Sequence, residues 1–152
     1  MPRGAEEMLG KTWLEKKDMA RARNQYRQLL TLFPQDFAAH YNLGWIASEE
    51  KNWAEATREL RAALDIDPKN ASAHNALGTI CLQQGNLTEA GLEFGEAIKL
   101  DPNFARAHYD LGLTLAKMSK RNEAAREFKT ALKLDPKFLP AQKALDEVQR
   151  GE

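Results

Sequence analysis

The chain has 152 residues, of which 43% are hydrophobic and 29% charged, a composition that excludes a disordered protein and allows one domain with a sizeable core. Lysine plus arginine equal aspartate plus glutamate, 22 against 22, so there is no surplus positive charge for binding nucleic acid. No apolar run approaches the roughly 18–20 residues of a membrane-spanning helix, and the N-terminal sequence does not resemble a secretory signal. We therefore expect a cytoplasmic protein that binds neither membranes nor nucleic acid.

Five series of residues recur along the chain at one interval of 34 residues. They are the prolines Pro34, Pro68, Pro102 and Pro136; the Leu-Gly pairs at Gly10, Gly44, Gly78 and Gly112; the alanines Ala22, Ala56, Ala90 and Ala124; the bulky residues Tyr26, Leu60, Phe94 and Phe128; and the histidines His40, His74 and His108. Independent residues would not fall into one register by chance. The sequence therefore predicts an array of repeats.

Each repeat is predicted to contain two helices. In the third, Ala71 to Gln84 and Leu87 to Leu100 carry apolar residues at helical spacing, and each repeat ends at its proline, because proline cannot continue a helix. A last helix follows, with Pro140 near its start, where proline is tolerated. In chain order, the turns between paired helices are predicted near Lys17-Asp18, Lys51-Asn52, Gly85-Asn86 and Ser119-Lys120.

The recurring glycines lie inside predicted helices, where each costs about 1 kcal/mol relative to alanine. A penalty repeated in every unit indicates that the second helix crosses at the glycine and leaves no room for a side chain. The alanine series is expected on the facing surface of the second helix. The bulky series is expected to fill the space one turn further along.

These residues resemble the tetratricopeptide repeat family, whose pattern has a large residue, Leu-Gly, Ala, an aromatic residue, Ala and Pro at fixed positions. The third unit matches it with His74, Leu77, Gly78, Cys81, Ala90, Phe94, Ala97 and Pro102. The resemblance covers nearly the whole chain, and the first unit departs most, with Glu6 and Leu29 at two of the positions. It implies an all-α, right-handed superhelical solenoid: one domain over 1–152, repeats at about 3–36, 37–70, 71–104 and 105–138, and a C-terminal capping helix at 139–150.

The resemblance also implies a concave groove lined by the first helix of each repeat. The predicted groove residues, a partner-binding set, are Tyr41, Trp45, Asn75, Thr79, Leu82, Arg106, Tyr109, Leu113 and Lys117, and the closing helix adds Lys143 and Glu147. Exposed aromatic side chains of this kind dominate binding energies at protein interfaces. The alternative for Tyr41 and Tyr109 is that they only pack against neighbouring helices.

Two specialised binding sites of the family do not match. The clamp that holds a chaperone's terminal carboxylate needs lysine, asparagine and arginine, whereas this chain offers Glu7, Lys11, Asn42, Ser72 and Ala76, or Tyr41, Trp45, Ala76, Arg106 and Asp110. The asparagine ladder of the glycosyltransferase-linked members fails as well, because the ladder positions read Met8, Asn42, Ala76 and Asp110. No carboxylate-clamp chaperone tail is expected as a partner.

No motif in the sequence predicts catalysis, a metal or a cofactor. The three histidines are too far apart in stacked repeats, about 10 Å or more, to share an ion, so they are interpreted as structural. Gly10-Lys11-Thr12 resembles the end of a phosphate-binding loop, but five residues rather than four separate Gly4 from Gly10. Cys81, the only cysteine, lies on the buried stripe and is interpreted as a packed thiol.

The sequence therefore predicts a non-enzymatic protein-interaction module, a scaffold or adaptor that binds a peptide or protein segment in the groove. Two alternatives remain open. A self-associating scaffold would use blocks of opposite charge, since residues 1–34 carry seven basic and four acidic side chains and residues 35–68 carry three and seven. The second alternative is a regulatory or substrate-recruiting domain of a larger enzyme.

Overall fold

The computed structural model describes residues 3–151, apart from the side chain of Ala5. These residues form nine α-helices and contain no β-strand, so the predicted all-α class is confirmed. No helix in this part of the chain is both long and apolar enough to cross a membrane. The helices are α1 (Arg3–Glu15), α2 (Met19–Leu32), α3 (Phe37–Glu49), α4 (Trp53–Ile66), α5 (Ala71–Gln83), α6 (Leu87–Leu100), α7 (Ala105–Lys117), α8 (Arg121–Leu134) and α9 (Leu139–Arg150).

The chain divides into two compact units between Lys69 and Asn70. In the first unit, α1 pairs with α2, α3 pairs with α4, and α2 packs against α3. In the second, α5 pairs with α6, α7 pairs with α8, and α9 packs against α8 and α7. Both units are therefore built from helix-turn-helix hairpins, and the second is closed by the single helix α9.

The turn inside each hairpin has one residue with left-handed backbone conformation. These residues are Lys17 (φ 57°), Lys51 (φ 58°), Gly85 (φ 77°) and Ser119 (φ 62°), which recur every 34 residues. Left-handed backbone ends the first helix, and only glycine adopts it without a steric cost. Three of the four repeats thus carry a small conformational penalty at this turn.

In most hairpins the second helix is preceded by a residue whose side chain caps the helix N-terminus. Asp18, Asn52 and Asn86 each accept a hydrogen bond from the backbone N–H three residues later, at the start of α2, α4 and α6. Such a cap satisfies one of the N–H groups that have no partner inside the helix. Lys120, at the same position before α8, provides no side-chain cap.

The recurring glycines lie where the two helices of a hairpin cross. A Cβ atom built on Gly44 would be 2.7 Å from Leu60 Cγ, and one on Gly78 would be 2.8 Å from Phe94. The sequence placed the alanine series against these glycines, whereas the structure places the bulky series there. Helical side chains point back toward the N-terminus, so a bulky residue one turn after the alanine covers the glycine.

The core of each hairpin is dominated by these bulky residues and by the alanines around them. Leu60, Phe94 and Phe128 are fully or almost fully buried. Cys81 is also buried, which agrees with its interpretation as a packed thiol. In the first hairpin the corresponding residue is Tyr26, whose buried hydroxyl has no hydrogen-bond partner among the described residues. Burial, followed by the charges of Glu7 and Asp36, raises its pKa to about 12.

Candidate protein-binding surface

In the first unit, the predicted binding residues Tyr41 and Trp45 lie one turn apart on α3. Trp45 is one of the few large apolar residues that remain well exposed, with 40% of its surface accessible. Tyr41, one turn earlier, is partly buried and stacks on Phe37 with 5.8 Å between ring centroids and 19° between ring planes. Burial raises the pKa of the Tyr41 hydroxyl. We name Tyr41 and Trp45 the α3 patch.

In the second unit, α5 contributes Asn75, Thr79 and Leu82, all of them partly buried. The Thr79 hydroxyl donates to the backbone carbonyl of Asn75, 3.0 Å away, so its donor is used within the helix. The Asn75 side chain hydrogen-bonds to Asp110, while its carbonyl oxygen is buried and has no partner among the described residues. The polar groups of Asn75 and Thr79 are therefore directed mainly into the fold, and the one unused acceptor on α5 is buried.

Helix α7 presents Arg106, Tyr109, Leu113 and Lys117, of which Arg106 and Lys117 are exposed and the other two partly buried. The Tyr109 ring packs against Phe138 at 5.0 Å and against Phe128 at 5.9 Å between centroids. The guanidinium of Arg106 lies over the same ring, 5.6 Å from its centroid. Tyr109 thus packs against the neighbouring helices, as the alternative interpretation supposed, and the ring still reaches the surface.

A cavity of about 690 Å³ lies between α7 and α9, and Tyr109 and Leu113 line it. Leu139, with 76% of its surface accessible, forms part of its apolar wall. The remaining lining residues all come from α9: Pro140, Gln142, Lys143, Ala144, Asp146 and Glu147. We name this feature the α7–α9 cavity. It combines apolar walls with one cationic and two anionic side chains, which is typical of a site that binds a ligand of mixed character.

Sequence reasoning had assigned Lys143 and Glu147 to the groove, but it missed Leu139, Pro140 and Gln142. These residues belong to the first turn of α9, and nothing in the sequence shows which side of that turn faces α7. An available signal was the run of large apolar residues Phe138-Leu139-Pro140, since positions 36–38, 70–72 and 104–106 in the preceding repeats contain at most one large apolar residue.

Asp110 is another residue that the sequence did not assign to the site, and it lies buried beside Arg106. Its side chain is only 4% exposed and lies 2.9 Å from the Arg106 guanidinium, to which the carboxylate is ion-paired. Burial raises the pKa of the Asp110 carboxyl, and the opposing effects of Arg106 and Asn75 do not cancel that increase. The signal for this pair was an arginine four residues before an acid in one helix, the spacing of side chains that meet on a helix surface.

The histidine series lies inside the hairpins. Nδ1 of His40, His74 and His108 is 2.7 Å from the carboxylate of Glu59, Glu93 and Glu127, respectively, each on the second helix of the same hairpin. In the described part of the chain, no group of three or more histidine, cysteine or acidic side chains is arranged to hold a metal ion. Each histidine therefore joins the two helices of its repeat.

These features define a helical repeat protein: hairpins of 34 residues, a small residue at each helix crossing and a closing helix. Models of the tetratricopeptide repeat match residues 14–80 and 47–91, which together span about half the chain, and also 105–138, while a TPR repeat model matches 78–119. The chain belongs to the tetratricopeptide repeat family.

Many solved structures have a similar fold. One structure of MamA is 22% identical, with a TM-score of 0.87 over 94% of this chain and 84% of its own. PilF of Pseudomonas aeruginosa is 26% identical, with a TM-score of 0.81 over 99% of this chain and 76% of its own. YrrB, described as a TPR protein with an unusual peptide-binding site, is 23% identical, with a TM-score of 0.80 over 89% of this chain and 70% of its own. No curated protein matches the sequence.

Proposed function

We propose that the chain binds a segment of another protein and that the α7–α9 cavity is the main binding site. Its role is binding rather than catalysis, as a scaffold or adaptor. The observation that carries the proposal is the cavity itself, which offers about 690 Å³ between two helices and a highly exposed leucine, Leu139, at its wall. The peptide-binding site named for YrrB, a protein of similar fold, supports the same kind of ligand.

The lining residues indicate the chemistry of the segment. Tyr109, Leu113 and Leu139 offer an apolar contact area for one or two large side chains. Lys143 on one side and Glu147 on the other provide charges of both signs for groups that flank those side chains. The preferred segment therefore has an apolar centre and mixed charges around it, rather than a purely acidic end.

The α3 patch is proposed as a second contact, in the other unit. Trp45 buries a large area on contact and has few torsions to order, so an exposed tryptophan contributes strongly to binding when a partner covers it. Tyr41 is held by Phe37 and does not have to be ordered by the ligand. Arg106 and Lys117 on α7, with the α5 residues Asn75, Thr79 and Leu82, complete the proposed set of contacts.

The test uses peptides selected from a random peptide library on the purified chain, with affinities measured by fluorescence polarisation. Leu139→Ser is expected to weaken binding by about tenfold or more, because a large apolar contact is lost. Leu92→Ser on α6 is the matched control, since Leu92 is also highly exposed, at 67%, and lies outside the proposed contacts. Helicity of both variants is checked by circular dichroism.

The results distinguish binding at the α7–α9 cavity from binding at the α3 patch. Loss of binding in Leu139→Ser but not in Leu92→Ser supports the cavity, and a further loss in Trp45→Ala adds the α3 patch. Equal affinities of wild type and Leu139→Ser would exclude the cavity as the site. Equal losses in both leucine variants would mean that the selected peptides respond to general surface hydrophobicity, which would also reject the proposal.

A further inference from the structure

Three cationic side chains lie in a row on the outer side of α8. Arg126, Lys129 and Lys133 are all exposed, and their spacing of three and four residues places them on one face of the helix. At a rise of 1.5 Å per residue, the row is about 10 Å long. We name these three residues the α8 basic stripe.

The three cations of the stripe are not ion-paired within the described part of the chain, although the exposed acid Glu123 lies three residues before Arg126. None of its three side chains is paired with a carboxylate among the described residues 3–151. On the helices of the first unit, by contrast, Arg23 pairs with Glu50, and Arg27 pairs with Glu55 at 2.8 Å. The nearby acid Glu127 does not compete for the stripe, because its carboxylate is engaged with His108 on the inner side of the hairpin.

The stripe leads into a shallow cavity at the beginning of α8. This cavity has a volume of about 460 Å³, and Arg126 belongs to its lining. The other lining residues are Ser119, Lys120, Arg121, Asn122 and Glu123. Lys120 and Arg121 therefore add two cations beyond the row, beside one acid, Glu123, around a depression that can accept a side chain.

The opposite side of α8 is fully occupied. Ala124, Phe128 and Ala131 are completely buried against the neighbouring helices. The backbone of α8 is therefore fixed in the hairpin, so binding has to order only the exposed side chains of the stripe.

From this arrangement we propose that the α8 basic stripe binds an acidic segment of a partner protein. In an extended segment, acids at alternate positions are about 7 Å apart, whereas the stripe residues are spaced by about 4.5 and 6 Å along the helix axis, a difference that long, flexible lysine and arginine side chains can span. The charges of the site are complementary to such a segment, and they favour its approach as well as its orientation.

The surface fits an acidic protein segment better than a nucleic acid or a membrane. Tight binding to a duplex takes about 6–10 phosphate contacts, more than this stripe offers, and the described residues of α8 include no exposed aromatic ring on which a base could stack. Interfacial helices insert an apolar face into the lipid, whereas the apolar face of α8 is buried in the hairpin.

This inference does not depend on the proposed function. The stripe lies on α8, the second helix of its hairpin, whereas the contacts proposed above come from α3, α5, α7 and α9. Leu139→Ser is therefore expected to leave binding at the stripe unchanged, and substitutions in the stripe are expected to leave the cavity ligand unaffected.

The experiment measures binding of a fluorescein-labelled peptide of about ten residues, in which glutamate alternates with glycine. A peptide with glutamine in place of glutamate serves as the uncharged probe. The triple variant Arg126→Gln, Lys129→Gln, Lys133→Gln is expected to bind the acidic peptide about tenfold more weakly than wild type. The affinity of wild type is expected to fall when NaCl is raised from about 0.05 M to about 0.5 M, because salt screens exposed charges.

A second triple variant removes the same charge elsewhere. Lys17→Gln, Lys51→Gln, Lys69→Gln changes three exposed lysines of the first unit, so its net charge equals that of the stripe variant. Retained binding in this control, together with loss in the stripe variant, supports the proposal. Equal losses in both would show that only the net charge matters, and absence of binding to the acidic peptide would refute the proposal directly.

Two further probes decide the class of partner. Vesicles of phosphatidylserine and phosphatidylcholine represent an anionic membrane, and a short DNA duplex represents nucleic acid. Binding of either probe that is tighter than peptide binding and is lost in the stripe variant would overturn the assignment to a protein segment.

Discussion

A Cβ atom on Gly112 would lie 2.5 Å from Cε1 of Phe128, so α7 has no space for any side chain where α8 crosses it. Gly112→Ala is expected to lower the free energy of unfolding by about 1–3 kcal/mol, because the ring must move out of a filled core. Urea denaturation followed by circular dichroism measures the change.

Gly91 and Gly95 on α6 are the controls, since a Cβ at either position meets nothing within 4 Å. Alanine at each is expected to raise stability by about 0.5–1 kcal/mol through helix propensity alone. A gain in stability in Gly112→Ala as well would mean that Phe128 relaxes freely and that the crossing of α7 and α8 is not tightly packed.

Tyr26 occupies, in the first repeat, the position that Phe94 and Phe128 occupy in the last two. Its hydroxyl is buried without a hydrogen-bond partner among the described residues, and an unsatisfied buried polar group costs about 1–3 kcal/mol. Tyr26→Phe is therefore expected to raise the thermal midpoint. A lower midpoint would indicate that the hydroxyl is satisfied in solution. Phe94→Tyr provides the reverse test and is expected to destabilise the chain.

Lys51 has a φ of 58° in the turn between α3 and α4. The left-handed region costs a residue with a side chain about 1–2 kcal/mol, and glycine avoids that cost but loses more entropy on folding. Lys51→Gly is expected to stabilise the chain by about 1 kcal/mol in urea denaturation. Lys51→Ala, which removes the charge but keeps the Cβ, should bring no such gain, and Gly85→Ala in the equivalent turn should be destabilising.

The raised pKa of Asp110 predicts a pH-dependent stability. An ordinary aspartate has a pKa of 3.8, and in the folded chain burial raises that of Asp110 above this value. The folded state then holds the proton more tightly than the unfolded state, so this group lowers stability as pH rises through the range between the two pKa values. Asp110→Asn is expected to be more stable than wild type at pH 7.

The advantage of Asp110→Asn is expected to disappear below about pH 3.8, where the carboxyl is protonated in both states. Chemical denaturation at several pH values measures the difference in the free energy of unfolding between Asp110→Asn and wild type. A variant that is less stable than wild type at neutral pH would show that the ion pair with Arg106 outweighs the cost of burial.

Glu59 is expected to make the stability of the fold depend on pH in the opposite direction. Burial alone would raise its pKa, but hydrogen bonds from His40 and Arg58 hold it below the ordinary value of 4.5. The carboxylate thus stabilises the fold above about pH 4.5, and this contribution is lost as pH falls through the lowered pKa. Glu59→Gln should be less stable than wild type at pH 7 and approach it in acid.

Glu96→Gln is the comparison for Glu59→Gln, since Glu96 pairs with Lys99 on an exposed surface. Exposed pairs contribute little, so its stability should follow wild type at every pH. If the two variants showed the same pH dependence, the hydrogen bonds from His40 and Arg58 would not be the cause.

The repeat and the fold class were predictable because they depend on local periodicity. Gly78 and Phe94 fall in register with their counterparts, and a helix crossing requires a small residue in every unit. The pairing of Asn75 with Asp110 was not predictable, because it joins α5 to α7, and the sequence does not specify how two first helices are rotated about their axes. The run Phe138-Leu139-Pro140 was a signal for an apolar contribution from Leu139, but its position in the α7–α9 cavity depends on the rotation of α9 and was not predictable.

The turn residues with left-handed backbone show a similar limit of prediction from the sequence. Gly85 signals its turn in the sequence, whereas Lys17, Lys51 and Ser119 are located only by the 34-residue interval, since none of them favours left-handed backbone. Exposure of Trp45 followed from its place in the repeat, but the absence of carboxylate partners around Lys129 did not, because ion pairs depend on the rotamers of neighbouring helices.

The packing of each helix mainly against its neighbours in sequence also has a kinetic consequence. The main contacts join helices that are adjacent along the chain, from α1 with α2 to α3 with α4 in the first unit and from α5 with α6 to α8 with α9 in the second. Such a molecule closes only short loops as it folds, and helical proteins with local contacts reach the native state in about microseconds to milliseconds. Refolding can begin in any hairpin and spread within its unit, so a substitution in one hairpin leaves the others as starting points and should slow refolding only slightly.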